Sequence, residues 1–230
     1  MYCVILGDIV QSRTLDPAVR GQVTQRIKSA LGAINAKYAD SILAEFGLVR
    51  GDAIEGVLFA QRDAPQIMQE MMKAVYPVNK TKIRMSAVMG ALTVVSSDRN
   101  AADGPAFHMA TEQIEALKKQ NSDHWLQVSF HTNTIAQELV EGLVGLLTAL
   151  TRRWTERQRE IVWAMDAHGQ QNIVSKKLRI TPAVVSKQLK AADYREYALA
   201  WQSLTGYLEK AEGASIPKEA LGEALQNKNK

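Results

Sequence analysis

Apolar residues follow two rhythms along the first 150 positions. Short runs rich in β-branched residues predict strands, whereas apolar positions repeating every three or four residues predict helices. Apart from a long apolar helix at the end, the order contains the β-α-β-β-α-β arrangement of a ferredoxin-like sheet, so we expect an α+β fold. The predicted strands are 2–6, 42–49, 53–60, 83–95 and 126–130, and the predicted helices are 17–38, 64–75, 105–119 and 132–150.

Turn and cap residues support several of these boundaries. Asp16 before Pro17 is typical of a helix start, with an acidic N-cap and proline at the first helical position. The Gly51-Asp52 pair between two strand-like runs predicts a β-hairpin. Gly90 inside a strand pattern predicts a bulge or a close approach of another backbone.

Residues 155–192 predict two short helices, a tight connection and a third helix. Thr155 and Gln158 have the spacing of a capping box, and Gly169 is typical of a helix C-terminus. Thr181 before Pro182 predicts the start of the third helix. The positions expected to face inward are Ile161, Val162, Met165, Ile173, Val174, Leu178, Val184, Val185 and Leu189.

This outline is that of a helix-turn-helix, and it resembles the motif of sigma-factor region 4. In such motifs the last helix enters the major groove and the flanking cations contact phosphates. Apolar spacing alone is equally compatible with a helical bundle used for packing or oligomerisation. The residues expected on bases are Thr181, Ala183, Ser186, Lys187 and Lys190, and those expected on phosphates are Lys176, Lys177 and Arg179.

The distribution of charge favours the DNA-binding interpretation. The first 145 residues carry 14 basic and 15 acidic side chains, whereas the remaining 85 carry 14 basic and nine acidic ones. This asymmetry indicates a basic module attached to a neutral one. The excess is modest, so we expect that two copies are needed for tight binding.

Composition excludes several classes of protein. A single cysteine, Cys3, rules out an intramolecular disulfide, and one cysteine with four scattered histidines gives no zinc-ligand spacing. The start of the chain lacks the features of a signal peptide, and no apolar run is long enough to span a bilayer. We therefore expect a cytoplasmic protein.

Two acidic motifs point to the first half of the chain. Asp8-Ile9 at the end of the first strand and Gly51-Asp52-Ala53 at the hairpin resemble the carboxylate motifs of the class III nucleotidyl cyclase palm. That resemblance implies that Asp8 and Asp52 hold Mg²⁺ on a nucleotide, because paired carboxylates let the metal neutralise phosphate charge. Ser12 and Arg13 would then contact phosphate. The structural alternative is ordinary turn chemistry at both aspartates.

The chain departs from the cyclase pattern at the positions that stabilise the transition state. His108 and Glu112 stand where cyclases place asparagine and arginine, and Leu48 stands near the base-reading lysine. A glutamate cannot neutralise phosphate charge as an arginine does. We therefore do not expect cyclase activity.

Four sequence blocks resemble the SatD family of small bacterial proteins. They are GDIVQSR at 7–13, RGDAIEGVLF at 50–59, IRMSAVMGAL at 83–92 and DGPAFHMA at 103–110. Such proteins commonly end in a helix-turn-helix, and the resemblance implies a regulatory protein associated with phage or stress.

Together these patterns predict a palm-like domain at 1–148, a helix-turn-helix domain at 149–212 and a charged flexible tail at 213–230. The first hypothesis is a DNA-binding regulator, active as a homodimer, whose palm-like domain binds a ligand or dimerises. A metal-dependent nucleotide enzyme and a pure interaction protein remain alternatives. The aromatic-rich helix predicted at 193–210 is suited to docking on the first domain or on a second subunit.

Overall fold

A computed structural model describes residues 1–49, 51–98, 100–120 and 122–213. The described residues form five strands and eight α-helices in an α+β fold. The strands are β1 Tyr2–Ile9, β2 Ile42–Val49, β3 Ala53–Leu58, β4 Ile83–Gly90 and β5 Gln127–His131. The helices are α1 Pro17–Lys37, α2 Ala64–Val75, α3 Pro105–Lys119, α4 Gln137–Arg152, α5 Glu156–His168, α6 Gln171–Leu178, α7 Pro182–Ala191 and α8 Tyr194–Gly213.

The strands form one sheet in the order β2-β3-β1-β4-β5. All neighbours are antiparallel except β4 and β5, which are parallel. The first four strands with α1 and α2 form the ferredoxin-like β-α-β-β-α-β unit, and β5 extends it at one edge. The predicted palm-like α+β class is therefore confirmed.

Alternate residues of β1 serve two different layers. Cys3 and Ile5 belong to the core beneath α1 and α2, whereas Val4 packs toward α3 with Ala106. This is the two-residue period of a strand that is buried on both faces. A Cβ atom at Gly90 would lie 3.1 Å from the Cβ of Ala106, so the predicted close approach at this glycine is confirmed.

The local signals near helix starts are also confirmed. The Asp16 side chain accepts a hydrogen bond from the Ala18 N–H at 2.8 Å, with Pro17 at the first helical position. Thr155 and Gln158 form the reciprocal capping box expected of their spacing. These devices act within one helical turn and therefore do not depend on the rest of the fold.

Several predicted boundaries are wrong. β1 runs to Ile9 rather than ending at Leu6. β4 ends at Gly90 rather than at 95, because the chain there turns toward α3, and Val94 and Val95 are exposed. α4 begins at Gln137 rather than at 132, because Asn133 has a left-handed φ of 52° that a helix cannot include.

Two predicted inward positions in the C-terminal helices are also wrong. Ile173 of α6 is 43% exposed and Val184 of α7 is 39% exposed, whereas their neighbours Val174 and Val185 are fully buried. A helix two to three turns long presents only a narrow stripe to its partners, so one of two adjacent valine or isoleucine residues must point outward.

The hydrophobic core continues from the sheet into the C-terminal helices. The junction is built on the rings of Tyr76, Trp125, Trp154, Trp163 and Tyr197, which contact one another in a chain. The predicted domain boundary after residue 148 falls inside α4. The division into two domains stays a prediction, because the packing between the two parts is dense.

Helix α8 docks on the first part of the chain, which was one of its two predicted roles. The Tyr197 hydroxyl donates to Gln69 Oε1 of α2 at 3.3 Å, and Gln66 Nε2 donates to Thr205 at 3.3 Å. Burial, followed by the neighbouring Asp166, raises the pKa of Tyr197 well above its usual value. No described helix is long and apolar enough to cross a membrane. Of the predicted tail, Gly213 ends α8 and the rest lies outside the described residues.

Candidate functional site

The four palm residues predicted to bind a nucleotide lie where β1 ends beside the β2–β3 hairpin. We call this place the palm corner. Asp8 is level with Ala53 in the β1–β3 ladder, so it lies close in register to Asp52. Ser12 follows β1 in a short 3₁₀ turn, and its hydroxyl donates to Asp52 Oδ2 at 2.6 Å. The Arg13 side chain is exposed beside them. The fold thus brings together residues that are 40 positions apart in the sequence.

The carboxylate of Asp8 is already paired with two cations. Arg84 Nη1 of β4 lies 3.2 Å from one carboxylate oxygen, and Lys118 Nζ of α3 lies 3.5 Å from the other. The Arg84 side chain is only 12% exposed, so its charge needs a partner at this position. The carboxylate therefore serves as the counter-ion of a largely buried guanidinium.

This arrangement fits a divalent metal poorly. Asp8 is neutralised by side chains, and Asp52 is held by the Ser12 hydroxyl. Within the described ranges, no three carboxylate, histidine or cysteine side chains converge in a group that could hold a metal ion. A magnesium ion on Asp8 would have to share the carboxylate with Arg84 and Lys118, whose positive charges repel a divalent cation.

Arg84 and Lys118 were missed by sequence reasoning. One signal was available for Arg84, since it interrupts an otherwise apolar strand, IRMSAVMG. Its partner depends on the register that places Arg84 opposite Asp8. Lys118 donates a hydrogen bond to Glu115, and this bond, with a smaller contribution from Asp8, raises the pKa of the ammonium group.

The two residues that replace the cyclase transition-state pair lie on the surface of α3. His108 and Glu112 are one helical turn apart and both are exposed. Among the described residues, neither side chain forms a hydrogen bond or ion pair with Asp8, Ser12, Arg13 or Asp52. The structure gives them no shared role with Asp8 and Asp52.

The second candidate site is the surface of α6 and α7. The eight residues predicted to contact DNA are all exposed, and we call them the basic surface. They are Lys176, Lys177, Arg179, Thr181, Ala183, Ser186, Lys187 and Lys190. Val174, Val185 and Leu189 are buried behind them, so the two helices turn their polar faces outward together.

A three-residue connection sets the angle between these helices. Arg179 ends α6 with a left-handed φ of 53°, and the Ile180 N–H then donates to the Ser175 carbonyl. The Thr181 hydroxyl accepts from the Val184 N–H at 3.3 Å and caps α7. Along α7, Ala183, Lys187 and Lys190 lie on the side opposite the buried stripe.

The positive charge of the basic surface is not compensated. No acidic residue occurs between Asp166 and Asp193. Lys177 donates to His168 Nε2 at 2.9 Å, but in the described part of the chain no carboxylate pairs with any of the five cations.

Several cations elsewhere on the surface are paired with carboxylates. Lys37 pairs with Glu70, Lys80 with Glu156, Lys82 with Asp123, Arg153 with Asp193 and Arg157 with Glu160. On α6, α7 and their connection, by contrast, five cations occur together without a carboxylate partner among the described residues.

The basic surface is attached to the palm through a buried arginine. Arg159 of α5 is 7% exposed, and its guanidinium carbon lies 4.1 Å from the centroid of the Tyr76 ring. It also pairs with Glu156 at 3.3 Å, which itself pairs with Lys80 of the palm. Stacking on an aromatic ring stabilises a guanidinium away from water. The orientation of α5 relative to the palm is therefore well defined.

Comparison with known proteins gives two similar structures and one family. No curated protein matches the sequence. Among solved structures, a bacterial light-regulated adenylyl cyclase is similar over 56% of this chain and 74% of its own, with 19% identity and a TM-score of 0.39. A guanylyl cyclase is similar over 50% of this chain and 69% of its own, with 13% identity and a TM-score of 0.35. The SatD family model matches residues 2–204, and the chain therefore belongs to the SatD family.

Proposed function

We propose that this protein is a cytoplasmic DNA-binding regulator whose α6 and α7 form a helix-turn-helix. The observation that carries the proposal is the uncompensated charge of the basic surface, where five exposed cations lie close together in the sequence and no acidic residue occurs between Asp166 and Asp193. Unpaired lysines on one face are the usual means of neutralising phosphates. In this proposal α7 lies in the major groove.

In this proposal α7 contacts bases, whereas α6 and the connection after it contact phosphates. Ala183, Lys187 and Lys190 point away from the core of α7 and reach base edges, with Thr181 and Ser186 at the margins. Lys176, Lys177 and Arg179 contact the phosphate backbone and fix the register. Val184, exposed on the same helix, offers an apolar contact for a thymine methyl group.

The proposal is tested with fluorescence anisotropy on labelled genomic fragments across a range of salt concentrations. The wild-type protein should bind with an affinity that falls steeply as salt rises, because counterions are released from the phosphates. Lys187→Glu combined with Lys190→Glu should weaken binding by at least about tenfold, since each charge reversal costs on the order of 1 kcal/mol or more.

A matched control changes the charge equally without touching the basic surface. Lys28 lies exposed on α1 and Lys119 lies exposed on α3, both in the other half of the molecule. Lys28→Glu combined with Lys119→Glu should leave DNA affinity close to wild type. If both double variants weakened DNA binding equally, the effect would come from net charge alone. That result would contradict the recognition-helix assignment.

A second candidate function is nucleotide binding or processing at the palm corner. The observation that favours it is that the register of β1 against β3 and the Ser12–Asp52 hydrogen bond bring Asp8, Ser12 and Asp52 together at the palm corner, with Arg13 next to Ser12 in the chain. Arg13 and Lys118 supply positive charge for a phosphate group at this corner. Because the carboxylates fit a metal poorly, we expect any binding here to need little magnesium.

Thermal shift with ATP or GTP, in the presence and absence of Mg²⁺, tests this second candidate. Bound nucleotide should raise the melting temperature of the wild type, and Arg13→Glu should abolish the rise. Asp52→Ala should weaken it by freeing Ser12. If the shift requires magnesium and disappears in Asp8→Asn, then Asp8 and Asp52 form a metal site after all.

A further inference from the structure

Helix α4 is apolar on two opposite faces. Its inner face packs on the sheet through Val140, Val144 and Leu147, which are buried. Its other face carries a second row of residues at alternating intervals of four and three, which keeps them on one side of a helix. We call this row the outer stripe: Leu139, Gly142, Leu146 and Ala149, together with Ile135 just before the helix.

The outer stripe faces solvent in the single chain. Leu139 is 77% exposed, Leu146 is 70% exposed and Ile135, just before the helix, is fully exposed. Neither Gly142 nor Gly145 has an atom within 4 Å of the place where a Cβ would stand. The helix has no charged residue between Glu141 and Arg152. A helix with apolar residues on two opposite faces is expected to bury both of them.

We propose that a second copy of this chain covers the outer stripe, with the two α4 helices packed antiparallel about a two-fold axis near Val144. In this register Leu146 of each copy lies level with Gly142 of the other, and Leu139 lies level with Ala149. Large side chains thus meet small ones, as in well-packed helix pairs. The stripe is complementary to itself in size.

Charge favours the same arrangement. Glu138 and Arg152 lie on the same flank of the stripe, both exposed, and no ion pair to either is found within the described residues. The antiparallel register places Glu138 of one copy about 3 Å along the helix axis from Arg152 of the other, within reach of the guanidinium. A parallel pair would instead keep Glu138 and Arg152 about 21 Å apart along the helix axis, so this ion pair could not form.

The interface is modest in extent. A helix of 16 residues is about 24 Å long, and one such pair buries less surface than a stable permanent dimer usually needs. We therefore expect a dimer that dissociates in the micromolar range. The dimer does not rest on DNA binding, so its failure would leave the proposed function untouched.

Sedimentation velocity of the full chain from about 1 to 100 µM tests the proposal. The wild type should shift from monomer to dimer over this range. Leu146→Asp should weaken association by at least about a hundredfold, because each dimer loses two buried leucines and gains two buried charges. Leu139→Asp is a second variant and should act in the same way.

The control is a leucine of similar exposure on another helix. Leu199 of α8 is 58% exposed and lies off the stripe, so Leu199→Asp should dimerise like the wild type. Unfolding temperatures of all three variants should match the wild type, since none of the replaced leucines is buried in the monomer. A wild type that stays monomeric at the highest concentration, or a Leu146→Asp variant that dimerises normally, would overturn the proposal.

Disulfide formation tests the orientation. Cys3 is the chain's one cysteine and is fully buried, so it contributes little background. Under mild oxidation, a mixture of the Gly142→Cys and Leu146→Cys variants should form a disulfide between the two chains. Neither variant should form one when it is oxidised alone. Cross-linking of each variant with itself would indicate a parallel pair and contradict the antiparallel register.

Discussion

Among single residues, His124 shows how burial sets the charge of a side chain at the junction. Its ring is 9% exposed, and Nδ1 accepts a hydrogen bond from the Leu126 N–H at 3.1 Å. Burial is the largest of the effects that lower the pKa of this imidazole. The ring is therefore neutral in the folded protein at neutral pH.

His124 should make the fold sensitive to mild acid. The unfolded histidine has a pKa of about 6.5, above that of the folded state, so the unfolded chain takes up the proton first as the pH falls. The free energy of unfolding should therefore decrease below that pH. In urea denaturation at pH 7.5 and 5.5, the free energy of unfolding of His124→Gln should fall less than that of the wild type, by at most about 1.4 kcal/mol, the limit that an unfolded pKa of about 6.5 sets for one group.

His108→Gln, on the exposed side of α3, is the matched control for this measurement. Its loss of stability between the two pH values should equal that of the wild type within error. A His124→Gln variant with the wild-type pH dependence would assign the acid sensitivity to another group.

Asp8 illustrates a different point at the same scale. From the sequence it is a metal-ligand candidate, but in the fold it is the counter-ion of Arg84 and Lys118. The same carboxylate can serve either purpose, and only its neighbours decide between them. Those neighbours come from β4 and α3, which lie more than 70 residues further along the chain.

At the scale of elements, the connection between α6 and α7 combines a strained backbone with a charged side chain. Arg179 occupies the left-handed region with a φ of 53°, where a side chain with a Cβ costs roughly 1 kcal/mol relative to glycine. Glycine is the usual residue at this position of a helix C-terminus. In the proposed complex with DNA, the Arg179 side chain contacts a phosphate, and this contact would offset the cost of the backbone conformation.

Arg179→Gly should separate these two properties. We expect the free energy of unfolding to rise by about 1 kcal/mol through relief of the backbone, while DNA affinity falls with the loss of a phosphate contact. Arg179→Ala removes the same charge but keeps the Cβ, so it should weaken DNA binding without the gain in stability. Equal stability of the two variants in urea denaturation would show that the backbone at 179 is not strained.

At the scale of the whole molecule, the continuous core joins the palm to the C-terminal helices. All four tryptophans belong to it, namely Trp125, Trp154, Trp163 and Trp201. Their fluorescence therefore reports mainly on the junction, whereas far-UV circular dichroism reports on all helices and strands.

The two signals should change together on unfolding. Because the packing across the junction is shared, we expect one cooperative transition in urea, with the same midpoint by tryptophan fluorescence and by circular dichroism. A fluorescence midpoint at clearly lower urea than the circular dichroism midpoint would show that the helices leave the sheet first. That result would favour two independent domains with a boundary near residue 148.

The proposed dimer would bring two basic surfaces into one molecule. A two-fold axis at α4 would generate two copies of the basic surface, as symmetric helix-turn-helix proteins use on operators with two half-sites. The modest charge of one copy would then be sufficient, since both copies bind the same duplex.

The sequence by itself determined the local structure. The Asp16 and Thr155 caps, the Gly51-Asp52 hairpin and the Gly169 terminus were predicted because each acts through atoms a few residues apart. The order of strands and helices followed from periodicity, and with it the α+β class. The exposure of the eight residues of the basic surface agrees with the same reasoning, although their binding to DNA stays a prediction.

The tertiary structure alone decided which surfaces meet. The pairing of Asp8 with Arg84 required the register of β1 against β4, and the exposure of Ile173 and Val184 required the angles at which short helices pack. The outer stripe of α4 could not be recognised in the sequence, because it lies in a run that is largely apolar. Periodicity does not show which of two apolar helix faces packs against the sheet. Contacts between distant segments depend on the whole fold, and no local pattern encodes them.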